Sequence, residues 1–312
     1  LLPPSESAED LGPATWHHYW DAFWCIKGLR DAAFLAKELG DSSKAQEFQR
    51  EGDELLEWTK ASYLKVMKDS LVDWIPNGPE DIHGTSMARG SGPGLWPGQV
   101  LDPNDIVVQT AFQRYYEKWI KPFRGAYFHQ GRFWPYGFEL AQCYTFLGQR
   151  DITNEILRWH LQHQTFPGVY SWAEQIDTTS LWFAAGDMPH CWVAADFMNA
   201  LRACLLYEEN DRVVIGAGIP KDWLRGGKTF SVENAPTFFG TVSYAVTVNP
   251  DGDHIVLQLT GSARPPSGFV LRLPIERDDI KAVTADGQMM NVEESGEILL
   301  NAGVKNISIT VK

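Results

Sequence analysis

The sequence predicts a mixed α and β chain in two parts: an α/α toroid, in which helical hairpins ring a central cleft, followed by an antiparallel β-sandwich. Three observations predict it. Up to about residue 210, apolar residues recur at helical spacing, in segments that alternate between broad and narrow apolar faces. Beyond that point the pattern changes to short alternating runs separated by turn residues. Twelve of the 13 Trp fall before residue 209, so the two parts also differ in composition. The expected boundaries are a lead-in over 1–15, the helical domain over 16–210 and the sandwich over 211–312.

Residues 1–15 are rich in Pro, Ser and acids without a period, and Thr15 is placed to cap the helix that follows. Trp16–Leu39 carries apolar residues on more than one face and is expected to be an inner helix, buried on most sides. Gly40 ends it. Ser42–Met67 has a narrower stripe (Ala45, Phe48, Leu55, Leu56, Tyr63, Met67) and reads as its outer partner in a helical hairpin.

Leu71–Asn104 is dense in Gly and Pro, and too long for a plain connector; Trp74 and Trp96 argue that it is ordered. Its Ser86, Ser91 and Gly84–Gly98 run match neither a phosphate loop nor a Gly-x-Ser-x-Gly elbow. Further helices are expected over Asp105–Ile120, Arg132–Leu147 (inner), Asp151–His163 (outer, capped by Asp151 or Thr153) and Pro189–Glu208 (inner, with Pro189 in its first turn). Gly168–Gly186 has no regular period.

Eight strands are expected after Asn210: Arg212–Ile219, Thr229–Glu233, Gly240–Val248, His254–Leu259, Gly268–Pro274, Ile280–Ala285, Glu297–Leu300 and Asn306–Lys312. Turns such as Asn249-Pro-Asp-Gly252 separate them. That density of short strands implies a sandwich, read here as a packing module.

The 312 residues carry a net charge of −13. Such a chain is a poor partner for nucleic acid or an anionic membrane, and a neutral ligand suits it better. No apolar run reaches membrane-spanning length. The four cysteines (Cys25, Cys143, Cys191, Cys204) lie in apolar helical patterns and read as reduced core residues. His160 and His163 have ligand-like spacing but no evident third ligand, so no metal or other cofactor is expected. The chain begins Leu-Leu-Pro-Pro, without Met, and is expected to be processed or partial; the lack of a leader sequence therefore says nothing about export.

The stretch Gly168–Trp192 concentrates the chemistry: Tyr170, Trp172, Trp182 and Trp192, with Glu174, Asp177, Asp187 and His190. A loop so rich in aromatics and acids is expected to line a cleft. Aromatic faces bind the apolar faces of sugars, and paired carboxylates cleave glycosidic bonds. Glu174 is one carboxylate of this stretch, and Asp21, far earlier in the chain, lies among aromatics that would raise a carboxyl's pKa. The alternative for Asp21 is a buried ion pair with Lys27 or Arg30. Asp187 either caps the next helix or touches sugar. His190 either bonds a sugar hydroxyl or rests in the core. Trp20, Trp24, Trp134 and Trp172 are candidates for sugar stacking, Trp172 and Trp20 foremost.

Several strings carry a family resemblance: Tyr19-Trp-Asp-Ala-Phe-Trp24, Gly28-Leu-Arg-Asp-Ala-Ala33, Trp172-Ala-Glu174, Gly186-Asp-Met-Pro-His190-Cys-Trp192 and Ala217-Gly-Ile-Pro220. They resemble the C-terminal half of the six-hairpin glycosidases, with bacterial α-L-rhamnosidases and their relatives as the nearest group. The resemblance implies an (α/α)6 toroid followed by a β-sandwich, inverting hydrolysis of a carbohydrate, and extracellular or periplasmic placement. It also implies a Trp-Glu motif, before the last inner helix, that supplies the general base. Glu174 occupies that place, with Ala173 inserted between Trp and Glu. The acid of the relatives lies further toward the N-terminus, and Asp21 is the best candidate present. Roughly three hairpins are legible where the family has six, so the N-terminal half of the same protein is an expected partner. A glycoside phosphorylase, a polysaccharide lyase or a non-catalytic glycan-binding fragment are the alternatives.

Overall fold

The computed structural model describes residues 1–6, 13–82 and 87–312. Part of the lead-in and Ser86 therefore lie outside the described residues. The chain divides into two compact units: Leu1–Leu147 with Glu155–Phe197, and Gly148–Asn154 with Met198–Lys312. The composition shift near residue 210 falls inside the second unit. No described helix is long and apolar enough to cross a membrane.

In the first unit, α1 (Tyr19–Glu38) and α2 (Ser42–Ser70) form a hairpin. Gly40 turns the chain at φ +79°, and the Asp41 carboxylate accepts from Lys44 N–H at 3.0 Å, capping α2. The helices approach closely at Gly52, where a β-carbon would lie 3.3 Å from Leu29 Cβ. Tyr19, Ala22, Phe23 and Ile26 are buried, as are Leu55, Leu56 and Tyr63 opposite.

Two expectations for α1 are corrected. Its N-cap is His18, without a side-chain bond, rather than Thr15. It is also not buried on most sides: Trp24, Phe34 (60% exposed), Leu35 and Leu39 face outward, joined by Trp58 of α2.

The Gly-Pro stretch holds a helix that the sequence reading leaves irregular, α3 (Met87–Leu95), with Pro93 inside it. Its glycines permit close approach rather than flexibility. A β-carbon on Gly94 would lie 2.7 Å from the Phe23 ring, and one on Gly90 2.4 Å from Asn77 Oδ1. The loop before α3 is held to the core by buried hydroxyls and backbone. Ser91 Oγ donates to Tyr115 OH (3.0 Å), which donates to Ile75 O (2.6 Å), and Tyr19 N–H donates to Asn77 O. Burial alone would raise the Glu80 carboxyl, but the His17 backbone and ring N–H bonds it accepts outweigh that and hold it below the usual range. α4 (Ile106–Trp119) is capped by Asp105, which accepts from Val107 N–H at 2.8 Å.

A small antiparallel sheet follows: β1 (Phe128–His129), β2 (Arg132–Phe133), then, after α5 (Gly137–Phe146) and α6 (Arg150–Gln162), β3 (Gln175–Ile176) and β4 (Phe183–Ala185), in the order β1-β2-β3-β4. Phe133 pairs with Ile176, and both pack with Ala126, Trp159 and Ala173. This corrects the single helix expected over Arg132–Leu147: its first turn is strand, and α5 starts only at Gly137. Thr153 is internal to α6 and does not cap it; its hydroxyl donates to Gln149 O. α7 (Cys191–Leu205) starts after Pro189, which stands outside the helix.

In the second unit, β5 (Leu206–Glu209), β6 (Arg212–Ile215), β10 (Phe269–Leu271) and β13 (Ile298–Leu300) form one sheet in the order β13-β10-β6-β5. The other runs β12-β11-β14-β9-β8-β7, comprising β7 (Thr229–Thr237), β8 (Gly240–Val248), β9 (His254–Gly261), β11 (Ile280–Ala285), β12 (Gln288–Met289) and β14 (Asn306–Val311). One core cluster draws Val213, Ile215, Phe269 and Leu271 from the first sheet and Val246, Leu257 and Ile309 from the second, which defines a sandwich. It is not purely antiparallel: β10 pairs with β6 in parallel. Leu206–Glu208, expected as the end of a helix, is strand, part of β5, because β5 pairs with β6.

None of the four cysteines is in a disulfide. Cys143 and Cys204 are buried, but Cys191 is exposed and Cys25 only half-buried, so two of the four are not core residues.

Candidate active site

The site is built outward from the segment Trp172–Glu174. Trp172 is 1% exposed and wedged edge-on against Phe138 (ring centroids 4.9 Å apart), beside Phe197. Its indole N–H donates to His160 O at 2.8 Å, so burial leaves no donor unpaired. Sugar stacking by Trp172 is therefore corrected: neither ring face is open, and the residue is an anchor. Ala173, the residue inserted between Trp and Glu, is fully buried in the core beneath the small sheet, and its N–H donates to Thr165 Oγ1.

Glu174 follows at the mouth of the β3–β4 ribbon and is half-buried. Its N–H donates to Asp187 O at 3.0 Å, and Gln175 pairs with Ala185 on the next rung. Gly186 has φ +77°, and a β-carbon there would lie 2.0 Å from Glu174 Oε2. The glycine thus serves both a left-handed turn and close packing against the carboxylate.

The turn from Asp187 to His190 joins the ribbon to α7. His190 N–H donates to Trp172 O at 3.0 Å. The His190 side chain is 14% exposed, and its Nε2 lies 2.9 Å from Tyr136 OH. The Asp187 carboxylate is 85% exposed and lies 4.0 Å from His190 Nδ1. It bonds no N–H of α7, so the capping alternative for Asp187 is corrected; its ordered contact is through its carbonyl.

Tyr136 is a member of the site that sequence reading misses. It is the N-cap residue of α5 and is buried. Its ring stacks on Trp134 (5.9 Å, 27°) and meets His190 and Trp192 edge-on. Trp134 is fixed in turn by donating its indole N–H to His129 O at 2.8 Å. The structure therefore brings Glu174, Asp187, His190 and Trp134 into one neighbourhood, with Tyr136 and Trp192 added. The signal available in sequence was the run Phe133-Trp-Pro-Tyr-Gly137, where Pro135 breaks the helical period.

Asp21, Trp20 and Trp24 lie together on the first turns of α1. The two indoles meet edge-on at 5.9 Å, and Asp21 Oδ2 accepts from Ser5 Oγ at 3.2 Å. The cations proposed to neutralise Asp21 are engaged elsewhere: Lys27 with Asp31, and Arg30 with Asp53.

Two further polar groups of this region serve the fold. Asp177 accepts from Thr179 N–H, Ser180 N–H and Ser180 Oγ. The Ser180 and Thr179 bonds hold its carboxyl below the usual range. His160 is buried, donating Nδ1–H to Ile156 O, and His163 bonds Trp159 O in the same way. Burial lowers His160 to about 4. Among the described residues, no group of three or more His, Cys, Asp or Glu could hold a metal ion.

No family model and no curated protein matches this sequence. Solved structures do match. A glycosidase in its wild-type form superposes with a TM-score of 0.52 at 12% identity, over 64% of this chain and 55% of that one. A variant glycosidase in complex with glucose superposes with a TM-score of 0.51, at the same identity and coverage. The chain thus shares a fold with glycosidases and spans just over half the length of those it matches; at this identity the likeness speaks for the fold alone.

Proposed function

We propose that this chain is part of an inverting glycoside hydrolase of the six-hairpin, rhamnosidase-like kind, with Glu174 as the general base. The observation that carries the reading is the placement of Glu174. Its backbone is clamped by the Asp187 carbonyl and its carboxylate is packed against Gly186, next to the Trp134–Tyr136–His190–Trp192 cluster. In this reading Glu174 takes a proton from water as it attacks the anomeric carbon. Asp21 protonates the leaving oxygen; inversion requires its carboxyl and that of Glu174 to stand about 6.5–9.5 Å apart in the assembled site. Trp134, Trp20 and Trp24 offer ring faces, and His190 and Asp187 bond hydroxyls. The outward apolar residues of α1, Phe34, Leu35 and Leu39, support a ring whose remaining helices come from elsewhere in a longer protein.

The test is hydrolysis of aryl glucosides, rhamnosides and related glycosides by the wild type and by Glu174→Gln, with NMR of the first-formed anomer. Turnover that gives the inverted anomer and is lost in the variant supports the reading. Turnover requiring inorganic phosphate makes the chain a phosphorylase, and an unsaturated uronide product makes it a lyase. Sugar binding without turnover makes it a binding module.

A further inference from the structure

We infer that the tip of the β3–β4 ribbon, where Trp182 meets Phe166, is a second sugar-binding platform, and that it takes pyranose units of an extended, neutral glycan chain. The inference rests on the carbohydrate reading above and deepens it. The ligand becomes a chain held at two places rather than a single small glycoside.

The platform is constructed, not left over. Trp182 is 49% exposed, and Phe166, nearly as exposed, meets it edge-to-face at 5.3 Å and 88°. What sets Trp182 apart from a single exposed indole is that it joins Phe166 in one aromatic surface, and contiguous apolar surface marks interaction sites. The turn that carries it is specified by polar bonds: Asp177 N–H donates to Trp182 O (2.9 Å), Leu181 N–H donates to Asp177 O (3.0 Å), and the Asp177 side chain gathers Thr179 and Ser180. Leu181 is held at φ +57°, a conformation that residues other than glycine seldom adopt, directly before Trp182. Tyr170, at φ +52°, is likewise exposed and stacks on Phe197 at 11°. Backbone strain is thus spent on presenting aromatic faces outward.

The chemistry of the ligand follows from what surrounds them. Residues 164–192 contain no Lys or Arg, while Glu174, Asp177 and Asp187 are acidic and the whole chain carries −13; Arg132, on the adjoining β2, acts on Asp177 but leaves acids in excess. Anionic ligands, such as uronate-rich or sulfated chains, nucleic acid or acidic lipid, are repelled. Pyranose rings present flat C–H faces to aromatics and hydroxyls to their polar neighbours, and are neutral. The spacing argues for a chain: three residue steps along the strand lead from Glu174 to Asp177, whose N–H bonds Trp182 O, which is roughly 10 Å. That exceeds one sugar ring.

The test uses Glu174→Gln, so that binding is read without cleavage, in native gels containing soluble starch, xyloglucan, xylan or galactomannan, with polygalacturonate as the anionic control. Retardation by at least one neutral polysaccharide and none by polygalacturonate is expected. Adding Trp182→Ala should weaken the retarding interaction about tenfold, and Trp182→Phe should restore most of it. In the wild-type background, Trp182→Ala should lower kcat/KM on the long chain more than on an aryl glycoside. Retardation unaffected by Trp182→Ala, retardation by polygalacturonate alone, or none by any polymer would overturn the platform. Trp182-dependent retardation in a chain without turnover would leave the platform standing and remove the hydrolase. Turnover on long chains that ignores Trp182 would do the reverse.

Discussion

Glu174, just before β3, lies beside Gly186, just after β4, and Glu174 Oε2 fills the space a β-carbon on Gly186 would need, 2.0 Å away. The carboxylate's position is therefore set by the absence of a side chain opposite it. Gly186→Ala should displace the carboxylate and also strain the backbone at φ +77°. If Glu174 is the base, hydrolysis falls on the order of a hundredfold, as for an ångström-scale misplacement, while circular dichroism stays native. Activity unchanged in Gly186→Ala would remove Glu174 from the chemistry.

Trp172 is an anchor for that segment, so its loss should be read in stability. Trp172→Ala removes a buried ring and the shorter of two hydrogen bonds to the His160 carbonyl, which keeps His163 N–H at 3.3 Å, costing about 3–5 kcal/mol. Chemical denaturation measures it. A stacking residue would show the opposite pattern, with affinity lost and stability kept.

Tyr136→Phe keeps the rings that pack on Trp134 and Trp192 and deletes only the hydroxyl at His190 Nε2. Leaving that mostly buried nitrogen without a partner should cost about 1–3 kcal/mol. The His190 imidazole nitrogen resonances should shift in the same variant; unshifted resonances would mean the bond is not formed in solution.

Stability should also fall in mild acid through His160. In the unfolded chain its imidazole titrates near 6.5, while burial holds it at about 4 in the folded chain, against the opposing bond to Ile156 O. As pH drops below about 6.5 the unfolded state takes up the proton first, so stability declines until about pH 4; above 6.5 the contribution is complete. The loss across that window is about 3 kcal/mol. His160→Gln should flatten the slope of unfolding free energy against pH in this range.

What the sequence disclosed depended on whether local signals sufficed. The later strands were legible because each alternates and is punctuated by turns such as Asn249-Pro-Asp-Gly252. β5 was hidden because α7 passes into it at Leu205–Leu206 with no punctuation, and only pairing with β6 makes it a strand. α3 was hidden because its glycines answer to Phe23, a partner remote in sequence. The region of the site was legible from its mix of acids and aromatics. The division of labour within it was not, because Trp172 and Trp182 look alike until burial separates them. Tyr136 was masked by sitting in an apolar run that merges with a helix.

The outward face of α1 and α2 also governs how this chain behaves in a tube. Phe34, Leu35, Leu39 and Trp58 expose apolar surface on a chain whose net charge is −13. In dilute buffer like-charge repulsion keeps copies apart, but at 0.1 M salt that repulsion reaches only about 10 Å. Salting-out ions then strengthen the apolar attraction. Light scattering should therefore show particle size growing with added ammonium sulfate and shrinking on dilution into low salt, the reverse of clustering driven by ion pairs.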